Sequence, residues 1–329
     1  MKKYKNILII NSGGGLGDTL QFIPIINFLN TEFDIKNIYY FSNKNKFYFD
    51  NVIKDIKPKN LKVIDFLRQG FGFKIKDIIN TRKITSKLKI KKFDLIIDNQ
   101  TRLGNSLVFK SIPHKEYVSP CLNYSFCKPY FVLRKEKNII KRITNYYEKK
   151  LNKKIKISYK YKNIPKKYLI ESNRLLSKKN KYIGFSILAG HPKRLRNFNI
   201  KQIAKVANYF QKKYIPVFFI EKKFMNIINL IKKKVPKAYF PELIANKKLR
   251  NPILVTALAD KTNFCISINN GIMHMMSLSK TKLFIFFDEN SEKFKPISNN
   301  AFSYDCSHNN TKVNNLTSNQ IINFIRNKR

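Results

Sequence analysis

A run of glycines between an apolar segment and an amphipathic one constrains this chain more than any other feature: Asn11-Ser-Gly-Gly-Gly-Leu-Gly-Asp-Thr-Leu-Gln-Phe-Ile-Pro24. Ile7–Ile10 precede it, and helical spacing of apolar residues continues to about Leu29. The reading is strand, glycine turn, helix. A dinucleotide fingerprint needs a glycine where Asp18 stands, and a phosphate-binding P-loop needs Gly-Lys-Ser/Thr; neither is present. Instead the turn, with Gly14, Gly15 and Gly17, delivers the Asp18 carboxylate to a helix start, in the crevice where open α/β sheets bind ligands. Such a carboxylate suits general-base chemistry or a helix N-cap. The segment alone leaves both open.

The rest of the chain repeats this grammar. Strand candidates are Ile7–Ile10, Asn37–Phe41, Lys62–Phe66 and Phe93–Asp98 in the first half. Tyr182–Leu188, Pro216–Ile220, Phe264–Ile268 and Leu283–Phe287 follow in the second. Helical patterns lie between them, at Lys44–Ile56, Lys74–Lys91, Ile200–Gln211, Met225–Lys234 and Ile253–Ala259. Alternation of this kind predicts an α/β protein with parallel sheets covered on both faces. A lysine-rich, weakly patterned region, Lys149 to Lys167, divides residues 1–160 from residues 161–329. Two such domains in tandem would place two sets of strand ends across a cleft, suited to a two-substrate enzyme.

Charge is the second constraint. Against 20 acidic residues stand 66 basic ones, a net charge of +46. That excess predicts anionic partners, namely a phosphorylated substrate, an anionic membrane surface or nucleic acid. The joint abundance of Lys, Asn, Ile and Phe is also what AT-rich coding produces, so part of the charge reflects composition. The four cysteines form no CxxC pair, which argues against a zinc site or a disulfide framework, and Cys265 reads as a small core residue. The basic N-terminus starts like a signal peptide, but its apolar run is too short. No segment approaches the ~20 apolar residues that span a bilayer. A cytoplasmic protein, soluble or peripheral to the inner face of the cytoplasmic membrane, is expected.

Two motifs in the second half carry chemistry. After Phe264–Ile268 comes Asn269-Asn-Gly-Ile-Met-His274, again a strand, a tight turn and a helix start. The backbone N–H groups of Asn270, Gly271, Ile272 and Met273 are a candidate anion cradle; an ordinary βα turn, with His274 on a helix surface or in a core, is the plain alternative. Upstream, Ile183–His191 runs into a loop bearing Lys193, Arg194 and Arg196. These cations suit a diphosphate or are solvated surface charge.

In this order, the pieces resemble the heptosyltransferase family of lipopolysaccharide biosynthesis, glycosyltransferase family 9. The matching residues are Gly17-Asp18 with Pro24, the loop 193–199 leading into Ile203–Ala207, and Ala257–Asp260 followed by Ile266–His274. Asn269 stands where the family has Asp, Phe198 stands nearest the place of its tryptophan, and Met275-Met276 replace small residues. If Phe198 marks that place, Arg196 rather than Lys193 holds the cation position.

The resemblance implies two Rossmann-like domains in the GT-B arrangement, the first for the acceptor and the second for the donor. It implies inverting transfer of a heptose or similar sugar from an ADP-heptose-like nucleotide-diphosphate sugar, with no metal and no cofactor. Asp18 would be the base, Gly14, Gly15 and Gly17 the acceptor-side loop, and Lys193, Arg194, Arg196 and Asn269–His274 the diphosphate site. The implied acceptor is an anionic glycolipid, a lipopolysaccharide core or related glycan. Two other classes remain: a catalytically silent nucleotide-sugar or glycan binder, kept open by Asn269, and a nucleic-acid-binding protein. The latter rests on charge and on the interleaved aromatics and cations of Tyr146–Tyr161, and it leaves the strand–turn–helix motifs unexplained.

Overall fold

Each half of the chain is built on a five-stranded, wholly parallel sheet. The computed structural model describes residues 2–11, 15–43, 48–66, 72–133, 135–157, 164–189 and 197–328. Contacts divide the chain into two units, Met1–Ile157 and Ser158–Arg329.

In the first unit the elements run β1 (Lys3–Asn11), α1 (Leu16–Leu20), α2 (Phe22–Glu32), β2 (Asp34–Asn43), β3 (Leu61–Phe66), α3 (Ile75–Lys87), β4 (Phe93–Asp98), α4 (Leu103–Lys110), β5 (His114–Val118) and α5 (Ile139–Leu151). The strand order is β3-β2-β1-β4-β5. Ile7–Ile10 and Leu95–Ile97 are buried throughout, as continuous apolar strands covered on both faces must be. Each fully buried Ile or Phe contributes about 1.5–3 kcal/mol.

The opening helix is split. The apolar spacing predicts a single helix to Leu29, but α1 ends and α2 begins around Gln21. Pro24 has no N–H to donate to the carbonyl of Leu20, so the first helix cannot run on through it, whereas the first turn of a new helix tolerates proline. The helix expected over 44–56 is absent where that range is described. There, 48–53 form turns and only Lys54–Ile56 make a 3₁₀ turn, with Phe49, Ile53 and Ile56 buried from irregular backbone.

The second unit contains α6 (Lys166–Leu175), β6 (Tyr182–Ser186), α7 (Ile200–Phe210), β7 (Ile215–Phe218), α8 (Met225–Lys234), α9 (Pro241–Ile244), α10 (Pro252–Ala259), β8 (Phe264–Ile268), α11 (Gly271–Ser277), β9 (Lys282–Phe287), β10 (Ala301–Asp305) and α12 (Ser318–Lys328). Its sheet order is β10-β9-β8-β6-β7. Phe185, Phe218, Phe264, Phe284 and Phe286 form an aromatic layer of the core. In α7, Ile203, Val206, Ala207 and Phe210 face that core at helical spacing.

Both sheets have a topological switch point, where successive connections leave to opposite sides. It lies between β1 and β4 in the first unit and between β6 and β8 in the second. Cys121, Cys127, Cys265 and Cys306 are buried free thiols. Tyr146 and Tyr147 are wholly buried beside Phe28, Phe33 and Phe131, so they offer no surface on which bases could stack. Among the described residues no helix is long and apolar enough to cross a membrane.

Candidate functional site

At the first switch point the chain leaves β1 at Asn11 and re-enters the described structure at Gly15, the residue capping α1. Asp18 is not itself the N-cap. It is the third residue of the helix, and its Oδ2 accepts the Gly15 N–H at 3.0 Å. Thr19 N–H and Thr19 Oγ1 both donate to the Gly15 carbonyl. The Asp18 side chain is half-buried, and its negative charge reaches the phenols of Tyr40 and Tyr48, helping to raise both above their usual range after burial itself. Tyr40 also accepts a bond from the Asn11 amide. Gly17 lies in the first turn of α1; Gly14 lies outside the described residues.

Asp98 ends β4, in register with Ile10 across the same switch point. Its carboxylate is completely buried. It accepts Tyr117 Oη–H at 2.7 Å and Gln100 N–H at 3.1 Å, and burial raises it to about 6. Sequence reasoning places it only as a strand end. An acidic residue closing the Leu95–Ile97 run beside the glycine strand is the signal that points to it. Fully enclosed, Asp98 positions the loop after β4 rather than meeting a ligand: Gln100 Oε1 in turn accepts from Asn105, whose Oδ1 takes the Gly72 N–H at 2.9 Å.

The corner at the second switch point is more tightly bound. Asn270 caps α11 by accepting the Met273 N–H at 2.7 Å. Its amide nitrogen donates to Ser186 Oγ and to the Leu188 carbonyl, both at 2.9 Å. One side chain therefore closes the helix and ties β8 to β6 across the switch point. Met273 N–H is consumed by this cap. Gly271 and Ile272 begin the helix, where backbone N–H groups have no intrahelical acceptor. Asn269, beside them, is half-buried.

His274, expected beside the diphosphate, is instead enclosed with Met273, Met275 and Met276. Burial alone depresses it to about 4, and Nδ1 has no hydrogen-bond partner among the described residues. A neutral, enclosed imidazole is a core residue and cannot neutralise phosphate charge. Helix periodicity does not reveal this, because α11 is covered nearly all round.

Lys193, Arg194 and Arg196 lie outside the described residues. The ends of their loop are anchored: Asn197 Oδ1 accepts the Ala189 N–H at 2.7 Å, and Phe198 N–H donates to the Ile187 carbonyl. Phe198 packs edge-on against Phe286 in the core, 5.4 Å between centroids. Asn199 caps α7 through Lys201 N–H.

Neither a protein-family model nor a curated protein sequence matches this chain. Solved structures do match along its whole length. A glycosyl transferase family 9 structure from Veillonella parvula superposes with a TM-score of 0.69 at 15% identity, covering 99% of this chain and 97% of that one. E. coli heptosyltransferase WaaC with ADP gives 0.68 at 12% identity, over 98% and 100%. E. coli ADP-heptose lps heptosyltransferase II gives 0.58 at 15% identity, over 100% and 98%. At such identities the likeness is one of fold, and the fold is that of the GT-B-type glycosyltransferases.

Proposed function

We propose that this chain is an inverting glycosyltransferase that works without a metal ion. In this reading it moves a heptose or similar sugar from an ADP-heptose-like donor to a lipopolysaccharide core or related glycan on an anionic glycolipid, at the inner face of the cytoplasmic membrane. The observation that carries the reading is Asp18, a half-buried carboxylate in the first turn of the helix after β1, at the switch point of its sheet. Support for the nucleotide comes from the WaaC structures, which are described with ADP and with ADP-2-deoxy-2-fluoro heptose.

The first unit takes the acceptor and the second the donor. Asp18 accepts the proton of the acceptor hydroxyl as that oxygen bonds to the anomeric carbon. The bond from carbon to the diphosphate oxygen breaks on the opposite face, and its electron pair leaves on the nucleoside diphosphate. Gly271 and Ile272 N–H, at the positive end of α11, receive part of that charge. A cation among Lys193, Arg194 and Arg196 neutralises more.

Asn269 favours a second reading, a nucleotide-sugar binder without turnover, since the position offers the donor no charge. Thermal shift with ADP-, GDP-, UDP- and CDP-sugars, followed by a transfer assay on lipid-linked glycan, separates the two. A native-state ligand at 100 times its Kd adds about 2.7 kcal/mol. Stabilisation by an ADP-sugar with transfer supports the transferase, and stabilisation without transfer by any donor supports the binder. If no nucleotide sugar stabilises the protein, both readings fail.

A further inference from the structure

Helices α3 and α4 each expose apolar side chains to solvent in addition to those they turn to the core, where Ile84 of α3 and Phe109 of α4 pack. On α3 the side chains turned inward at i, i+4, i+8 spacing are Asp77, Thr81 and Thr85, all buried, while Ile75 and Ile79 are 69% and 48% exposed. The inward threonines satisfy themselves on the helix backbone, Thr81 donating to the Ile78 carbonyl and Thr85 to that of Thr81. On α4, Asn105 and Ser106 are wholly buried with Val108 and Phe109, whereas Leu103 and Leu107 are exposed. Folding of the unit accounts for the inward side chains but not for Ile75, Ile79, Leu103 and Leu107 on the solvent side.

The two helices adjoin. α3 and α4 pack together, and Gly104 lies so close to the segment entering α3 that a Cβ there would meet Phe73 N at 2.7 Å. Phe73, also exposed, extends the apolar surface at this seam. Cations rim it: Lys76, Arg82 and Lys83 are exposed on α3, on or beside the Ile75–Ile79 stripe. Residues 73–92 hold eight Lys or Arg against one acidic residue, Asp77, and that one is buried.

We propose that this α3–α4 face docks on an anionic lipid bilayer, with Phe73, Ile75, Ile79, Leu103 and Leu107 entering below the headgroups and Lys76, Arg82 and Lys83 pairing with lipid phosphates. The inference rests on the reading of a glycolipid acceptor and names the surface that brings the protein to it. Charge complementarity selects the occupant. The rim is cationic, residues 73–92 present no exposed acid to oppose it, and a basic helix face with protruding Ile, Leu and Phe is the pattern of interfacial binding. A nucleic acid would take the cations and leave the apolar side chains in water.

The chain contains no tryptophan, so Ile79→Trp provides a single fluorescent reporter in the full-length protein. With phosphatidylcholine vesicles containing phosphatidylglycerol its emission shifts to the blue, and with phosphatidylcholine alone it does not. Ile170→Trp, at an exposed apolar position on α6 of the second unit, stays unshifted. In vesicle flotation, Ile75→Ser/Ile79→Ser lowers partitioning about tenfold or more, while Leu169→Ser/Ile170→Ser leaves it unchanged. Each of Lys76→Gln, Arg82→Gln and Lys83→Gln costs about fivefold.

All the substituted residues are exposed, and a melting curve confirms folding of each variant. Unshifted emission of the Ile79 reporter on anionic vesicles overturns the proposal, as does wild-type partitioning of the double serine variant or retention on nucleic acid with none on vesicles. Neither measurement contains donor or acceptor. A protein that inserts but is stabilised by no nucleotide sugar keeps this surface and loses the transferase reading, and the converse result does the reverse.

Discussion

The corners after β1 and after β8 have the same plan and opposite contents. Each follows a central strand of a parallel sheet at its switch point and opens a short helix. In the second corner the Asn270 amide is fully spent, on the Met273 N–H, Ser186 and Leu188, and the ionisable residue, His274, is buried in the core. In the first corner the ionisable residue, Asp18, stays half-buried, with Oδ2 on the Gly15 N–H. The second corner is a braced frame that offers a ligand backbone, and the first offers a charged side chain. In the proposed reading, chemistry that needs a proton acceptor falls to the first corner and passive anion binding to the second.

Asp18→Asn tests that division with the largest expected effect. The amide oxygen of the substituted side chain can still accept the Gly15 N–H, so the melting temperature and donor affinity hold, while turnover falls by ~10²–10⁴-fold for want of a base. Substantial transfer by this folded variant would remove Asp18 as the base and make the two corners alike.

Acid titration probes the opposite corner. His274 sits at about 4 rather than its ordinary 6.5. Below pH 6.5 the unfolded chain binds a proton that the folded chain refuses. Stability from this residue is thus complete above pH 6.5 and lost as pH falls toward 4, by about 3 kcal/mol in all. In His274→Leu that portion of the pH dependence of unfolding should vanish. An unchanged slope between pH 6.5 and 4 would show that the imidazole is solvated and the corner less closed than described.

Asn270→Asp separates capping from bracing. Aspartate is as good an N-cap as asparagine, so a residue that only capped α11 would tolerate it. Asn270 also donates to the Leu188 carbonyl and to Ser186. A carboxylate facing that carbonyl loses a hydrogen bond and gains a repulsion, a cost of about 2 kcal/mol by urea unfolding. A silent substitution would reduce the second corner to an ordinary helix start.

What the sequence reveals of this comparison follows from distance along the chain. Central strands such as Phe93–Asp98 and Phe264–Ile268 are legible to the residue, because burial on both faces keeps them predominantly apolar. The edge strands β5, His-Lys-Glu-Tyr-Val, and β10, Ala-Phe-Ser-Tyr-Asp, escape such a reading, since their burial is partial and the pattern is diluted by polar residues. The glycine turn and the Asn-Asn-Gly turn are visible as local chemistry. The bracing role of Asn270 is not, because its partners Ser186 and Leu188 lie 84 and 82 positions away. The inward face of α3 is hidden for another reason. Periodicity names the apolar stripe of a helix and takes it for the buried one, and here Asp77, Thr81 and Thr85 share the inward side with Ile84 while Ile75 and Ile79 are exposed.

The smallest expected effect is also the most local. Gly15 has φ −109° and ψ 161°, extended backbone that any residue adopts. Gly15→Ala therefore introduces no backbone strain, and by restricting the unfolded chain it would by itself add about 0.4–1 kcal/mol. Its Cβ would, however, stand 3.3 Å from Asp18 Oδ2, close enough that the carboxylate must give by a few tenths of an ångström. If that carboxylate is positioned for proton removal, turnover should fall several-fold, a fraction of the ~10²-fold that a full ångström of misplacement can cost. The melting temperature should hold or rise slightly. If Asp18 only secures the start of α1, the variant keeps its rate, whatever the small change in its melting temperature. Single-turnover measurements on a variant shown to be folded by its melting curve therefore separate the two roles.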